Sequence, residues 1–192
     1  ALRATLAVFA IRTEDDLVVR TNSGGRSSFA NVGQTRRDGV ELSADWRVSA
    51  AWSVVASAAA LRARFSEPFL TCGPAPCSTP TVPVPAGARL PGVPARTAFV
   101  ELRHRAGWAD LSAEWRAQSS LAVDDANSDR AAGYAVLNLA VARSLAWGER
   151  SLRGYLRLNN VFDRRYVGSV IVNEGNRRFF EPAAGRAVLA GV

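Results

Sequence analysis

Apolar and polar residues alternating with period two, connections that run short, long, short, long, and tryptophans gathered beside the short ones predict an all-β protein. The expected architecture is an antiparallel transmembrane β-barrel, because outer-membrane barrels pair short turns at one end with long loops at the other. A β-sandwich usually mixes loop lengths at both ends. With 192 residues, 48% of them apolar, the chain can bury a sizeable core. It contains no run of roughly 18 uncharged apolar residues, which excludes a transmembrane helix but not strands that cross by alternation.

Eight strands are expected, the first over residues 2–12 with room to continue to residue 20. The second covers 31–48, where Val40, Leu42, Ala44, Trp46 and Val48 oppose Glu41, Ser43, Asp45 and Arg47. The third, 51–65, is alanine-rich and alternates clearly only at its far end, from Leu61 to Phe65. The fourth, 95–105, sets Ala98, Val100 and Leu102 against Phe99, Glu101 and Arg103. The fifth, 109–118, sets Leu111, Ala113, Trp115 and Ala117 against Ser112, Glu114, Arg116 and Gln118. The sixth covers 134–143 and the last 179–192. The seventh, 151–160, places Leu152, Gly154, Leu156 and Leu158 opposite Ser151, Arg153, Tyr155, Arg157 and Asn159. Slipping that strand by one residue would turn Arg153 and Arg157 towards lipid at about 2–4 kcal/mol each, so its register is strongly specified.

Short turns are expected near residues 49–50, 106–107 and 147–149, and long loops over 13–33, 66–94, 119–133 and 168–178. Trp46, Trp52, Trp108 and Trp147, four of the five tryptophans, fall beside the short turns, where an interfacial aromatic girdle would lie. Residues 22–28, NSGGRSS, read as a turn and not as a phosphate-binding loop. The net charge of +7 raises the question of nucleic acid, but all 24 basic residues are arginines dispersed along the chain, with no basic block or RNA-binding motif. No nucleic-acid partner is expected.

Three stretches then carry a resemblance. NVGQTRRDGVELSADWRV (31–48) has an Asn-x-Gly followed by Gly-Val-Glu-Leu, LRLNNVFDRRYV (156–167) is close to Asn-Leu-Phe-Asp-x-x-Tyr, and FFEPAAGRAVLAGV (179–192) is like a closing Pro-x-x-Gly-Arg strand. In this order they resemble the C-terminal part of the β-barrel of TonB-dependent outer-membrane receptors. The resemblance implies about eight C-terminal strands of a barrel of about 22. The signal peptide, TonB box and plug domain are expected outside residues 1–192, which read as a partial barrel trimmed at both ends. The N-terminal ALRATLAVFA already reads as strand and Val192 stands where many relatives carry an aromatic residue. The implied place is the outer membrane of a Gram-negative bacterium. The implied partners are outer-membrane lipid, the TonB complex acting through the missing N-terminal region, the barrel-assembly machinery, and a ferric siderophore or similar scarce ligand.

In that setting Asn160 and Asp163 are expected to bond neighbouring backbone groups where the seventh strand leaves the bilayer, with Phe162 and Tyr166 at the outer interface. Glu41, Arg103, Glu114, Arg116, Arg153 and Arg157 share the lumen-facing parity. Cys72 and Cys77, in TCGPAPCSTP, favour a local disulfide in a protein assembled through the periplasm. Zinc is the rival reading, but it wants four ligands and the single histidine, His104, belongs near a short turn. The same scarcity argues against an enzyme, and no cofactor is expected. Two alternatives stay open: a soluble all-β binding module would bury the leucines that a barrel turns to lipid, and a passive porin-like barrel would lack a plug.

Overall fold

The computed structural model describes residues 1–192 apart from the side chain of Trp147. Fourteen strands follow in order: β1 (Leu2–Ser23), β2 (Arg26–Arg47), β3 (Trp52–Phe65), β4 (Phe69–Thr71), β5 (Val82–Val84), β6 (Arg96–Arg105) and β7 (Asp110–Gln118). After these come β8 (Leu121–Ala122), β9 (Arg130–Ala131), β10 (Tyr134–Trp147), β11 (Arg150–Asn159), β12 (Val167–Val170), β13 (Phe180–Pro182) and β14 (Ala187–Gly191). Eight of them form one antiparallel sheet in the order β1-β2-β3-β6-β7-β10-β11-β14, so each sheet strand pairs with the next sheet strand in sequence. The sheet is an open segment of wall, not a closed barrel. The six short strands make three small hairpins at its long-loop end.

Short turns join β2 to β3, β6 to β7 and β10 to β11. In the first, the Ser49 hydroxyl accepts hydrogen bonds from the backbone N–H groups of Ala51 and Trp52 at 3.2 and 3.1 Å. In the second, the N–H of Ala106 donates to the carbonyl of Ala109 at 2.9 Å.

The ladder fixes which side chains share a face, because directly paired residues point the same way. Leu6 faces Leu42, Leu139 faces Leu158, Val141 faces Leu156 and Leu145 faces Leu152. These belong to one apolar face that is left largely exposed: Leu6 is 68% and Leu156 48% exposed. An ordinary soluble fold buries such residues, since each covered leucine stabilises by about 1.5–3 kcal/mol. Burial is concentrated elsewhere, at the long-loop end. There Phe65, Val32 and Ala63 pack with Val84 and Leu90 of the 66–94 loop, and Phe179 packs with Leu121, Val123 and Ala131.

Two expected boundaries are corrected. Residues 13–33 are not a long loop: β1 and β2 continue as one hairpin to Gly24 and Gly25, whose φ of 57° and 75° suit the tight turn that a twisted ribbon needs. The acidic run Glu14–Asp15–Asp16 hides this in the sequence. The ladder holds there because Asp16 accepts from the Thr35 hydroxyl at 2.6 Å and from Arg37 at 2.8 Å, while Asp15 takes a left-handed φ of 51°. The final strand is also broken. Phe180–Pro182 pairs with β12, and only Ala187–Gly191 joins β11. Between them the Ala183 N–H bonds to the Tyr166 carbonyl at 3.0 Å and the Arg186 N–H to the Asp163 carboxylate at 2.8 Å, contacts that turn residues 183–186 out of the ladder.

Gly39 sits under Phe9 in the middle of this wall. A Cβ there would meet the Phe9 ring at 2.6 Å and the Ala60 carbonyl oxygen at 3.0 Å, whereas at Gly107 nothing lies within 4 Å. Gly39→Val is therefore expected to destabilise the sheet by about 1–3 kcal/mol in equilibrium urea unfolding, with Gly107→Val close to neutral.

Candidate functional site

The second face of the sheet is polar, and all six residues expected there lie on it. Glu101 stands directly opposite Glu114, an arrangement that is unfavourable for like charges unless each is neutralised. Arginines two residues along supply this: Arg103 reaches Glu101 at 2.6 Å and Arg116 reaches Glu114 at 2.8 Å. Asn138, paired with Glu114, donates to it at 2.8 Å, and Arg157 approaches the same carboxylate at 3.3 Å from β11. Glu114 thus binds three strands through side chains as well as backbone. Arg153 bonds Asp110 at 3.1 Å nearer the short turns. Glu41 is set apart, between Ala7 and Ala59, with no ion pair among the described residues.

At the top of β11, Asn160 is 4% exposed and left-handed, with φ 50°. Its N–H donates to Asn138 at 2.8 Å, its side-chain oxygen accepts from the Arg164 N–H at 2.9 Å, and its amide donates to the Arg164 carbonyl at 2.9 Å. A side chain that satisfies both backbone groups of residue 164 ends the strand without glycine or proline. Phe162 projects outwards, 77% exposed. Tyr166 does not join it: its ring packs 4.2 Å from Tyr134, and both border a recess on the polar face with Arg116, Asn138 and Asn159. The backbone reversal at Asn160 and Asp163 carries Tyr166 back over the wall.

Above the polar face the long loops are tied into a cap, and sequence reading missed its centre. Asp125, 1% exposed, accepts from the Thr71 hydroxyl at 3.1 Å and from the Asn173 amide at 2.9 Å, while its second oxygen, Oδ1, is buried without a partner. Asn173 also donates to the Val19 carbonyl at 2.6 Å and accepts from the Asp125 N–H at 3.0 Å. Backbone bonds join Asn22 to Asn173 and Gly175, and Ala75 to Gly175. Asn127 exchanges two bonds of 2.9 Å with the backbone of Arg89. Four chain segments, distant in sequence, are thereby fastened to one another. The signals available were a left-handed asparagine at 127 and another at 173, with φ of 56° and 54°, which a sequence does not announce.

The remaining expected residues are distributed at the two ends. Cys72 and Cys77 form a disulfide in the 66–94 loop, with Cα atoms 5.8 Å apart. Trp46 and Trp52 stand on the apolar face by the first short turn, and Trp52 stacks on His104 with ring centroids 4.0 Å apart. Trp108 lies in the second short turn and is 60% exposed, whereas the side chain of Trp147 lies outside the described residues. Among the described residues no group of three or more His, Cys, Asp or Glu side chains is arranged to hold a metal ion.

Burial pushes the Asp125 carboxyl up to about 6 from 3.8, against the opposing effect of its bonds to Asn173 and Thr71, with Asp124 adding to the rise. The packed cap thus holds a proton that the opened cap releases. Its stability is greatest below about pH 4 and declines as the pH rises through 6. Amide hydrogen exchange in residues 119–133 and 168–178, corrected for intrinsic rates, is expected to be slower at pH 4.5 than at pH 7.5, and Asp125→Asn is expected to remove that difference.

Comparison with known proteins agrees with this geometry. The family model "TonB dependent receptor-like, beta-barrel" matches residues 1–161. Among solved structures, the siderophore receptor PiuA from Acinetobacter baumannii superposes with a TM-score of 0.76 at 21% identity, over 98% of this chain and 25% of that one. The ferric yersiniabactin uptake receptor FyuA from Yersinia pestis gives 0.71 at 19% identity, over 98% and 26%, and the copper transporter OprC gives 0.67 at 21%, over 98% and 28%. The chain spans about a quarter of the length of these structures. With its antiparallel wall, its two unlike faces and its loops gathered at one end, the chain belongs to the TonB-dependent receptor β-barrel family.

Proposed function

We propose that this chain is the C-terminal part of the barrel wall, with its extracellular loops, of a receptor in the outer membrane of a Gram-negative bacterium, and that the receptor imports a ferric siderophore. The observation that carries the reading is one sheet with an exposed leucine face, a charged opposite face and a cross-linked set of loops at one end. Neighbours named as a siderophore receptor and a ferric yersiniabactin uptake receptor support the ligand class.

In this reading the leucine face meets lipid, which suits a contiguous apolar face left without protein cover. Glu41, Arg103, Glu114, Arg116, Arg153 and Arg157 face the lumen. Glu41, the one without an ion pair, is available to a plug supplied by another part of the protein. Trp46, Trp52 and Trp108 form the periplasmic girdle, and the Cys72–Cys77 loop lies outside the cell. The chain contributes wall and loops and no catalytic residue. The TonB box, the plug and the energy coupling belong to residues beyond this chain, and the barrel-assembly machinery inserts the whole.

A strain deleted for the parent gene should lose accumulation of iron-55 presented as its ferric siderophore and regain it with the full-length gene. A TonB deletion or a protonophore should abolish the restored uptake. Uptake that survives both treatments would mean a passive channel.

A further inference from the structure

Apart from Asp125, the cap has a second fastening, centred on Gly175. The Gly175 N–H donates to the carbonyl of Asn22, near the tip of the β1–β2 hairpin, and the Gly175 carbonyl accepts from the Ala75 N–H, both at 2.8 Å. Gly175 is buried, and the space for a side chain is already taken: a Cβ there would meet the Ala75 Cβ at 3.0 Å and the Asn22 carbonyl oxygen at 3.3 Å. The hairpin tip, the 66–94 loop and the 168–178 loop thus meet at one residue, and only glycine lets them close.

The group that Gly175 receives belongs to the ring closed by the Cys72–Cys77 disulfide. Ala75 lies at the middle of that ring, and the ring stands on the β4–β5 hairpin, whose end is tied by the Thr81 N–H donating to the Thr71 carbonyl at 3.1 Å. A ring this short restricts the unfolded chain less than a long one would, so its main effect is on local shape. Without the sulfur–sulfur bond, residues 72–80 form one open loop, and presenting Ala75 to Gly175 costs conformational entropy that the ring has already removed. Cys72 faces inwards, lining with Gly73, Asp124, Asn173 and Arg177 a recess of about 130 Å³. Cys77 is flanked by the exposed Pro76 and Ser78 and is the more approachable sulfur.

We propose that the Cys72–Cys77 disulfide is a redox clasp on the cap. Closed, it holds Ala75 against Gly175 and joins the 66–94 loop to the 168–178 loop and the hairpin tip; opened, it lets the ring withdraw while Thr71, Asp125 and Asn173 keep their own bonds. The opening agent is a dithiol in the surrounding solution. One of its thiolates attacks the Cys77 Sγ, the sulfur–sulfur bond breaks, and the electron pair leaves with the Cys72 Sγ, which takes up a proton. The second thiolate then attacks the reagent's own sulfur in the mixed disulfide and frees Cys77 as a thiol. The dithiol ends as a cyclic disulfide, two electrons poorer, and the protein gains two thiols. The clasp requires only the loop contacts, so it stands or falls apart from the identity of the imported ligand.

The test uses the full-length receptor in lipid nanodiscs at one fixed pH and reads amide hydrogen exchange in residues 168–178 with and without dithiothreitol. Alkylation by iodoacetamide reports whether Cys72 and Cys77 have opened. In wild type, opening should speed exchange there about tenfold and leave residues 151–159 of the wall unchanged. Cys72→Ser/Cys77→Ser should exchange fast with and without the reagent. Gly175→Val, which fills the seat of Ala75 and keeps the disulfide, should be fast as well and indifferent to dithiothreitol. Wild-type exchange that is the same before and after both cysteines open overturns the clasp. So does a disulfide that dithiothreitol leaves closed, or a Gly175→Val protein that still responds to the reagent, since the coupling then runs through another contact.

Discussion

The sheet carries leucine and alanine on one side and most of its ion pairs on the other, and the hydrogen-bonded ladder obliges all eight strands to agree on which side is which. A shift of one residue at any seam would exchange the faces of one strand relative to its neighbour. The cost is visible in the side chains: if β7 slipped, Glu114 would lose Arg157 and Asn138 together, and would emerge with Arg116, its neighbour on the same strand, among Leu102 and Leu139. Packing of a central core plays a small part in this wall. Register is set by the contrast between the two faces and by the cross-strand ion pairs, such as Arg157–Glu114 and Arg37–Asp16, individually worth about 0–1 kcal/mol where exposed.

The loop end obeys a different rule. Above the wall the chain must satisfy irregular backbone without a ladder, and it does so with asparagine side chains that imitate backbone groups. Asn127, Asn160 and Asn173 each take a positive φ and each bond backbone atoms of another segment or turn. Asp125 joins Asn127 and Asn173 from within, desolvated and therefore sensitive to protons. A wall specified by alternation and a cap specified by individual polar contacts can change at different rates.

The wall was legible because its information is local. Leu152, Leu156 and Leu158 against Arg153 and Arg157 declare a strand, its faces and its register within eight residues. The NNVFDRRYV segment was legible in part: Asn160 and Asp163 bond the backbone as short polar side chains do, but the direction of Tyr166 depends on Tyr134, which is far away in sequence. The long β1–β2 hairpin was obscured because its outer half mixes acidic and basic residues, and strand pairing there rests on Asp16, Thr35 and Arg37 meeting across the ladder. Asp125 and Asn173 are 48 residues apart, and nothing in either neighbourhood points to the other.

The central claim is that one face of this sheet lies in lipid and the other in an aqueous lumen. It is tested most directly by placing single nitroxide labels at each position from Leu152 to Asn159 of the full-length receptor in bilayers, and measuring collision with oxygen and with a water-soluble nickel chelate. The account predicts period-two alternation, with oxygen favoured at Leu152, Leu156 and Leu158 and the chelate at Arg153, Arg157 and Asn159. Uniform access of the chelate, or protection of the leucine positions from both reagents, would contradict it.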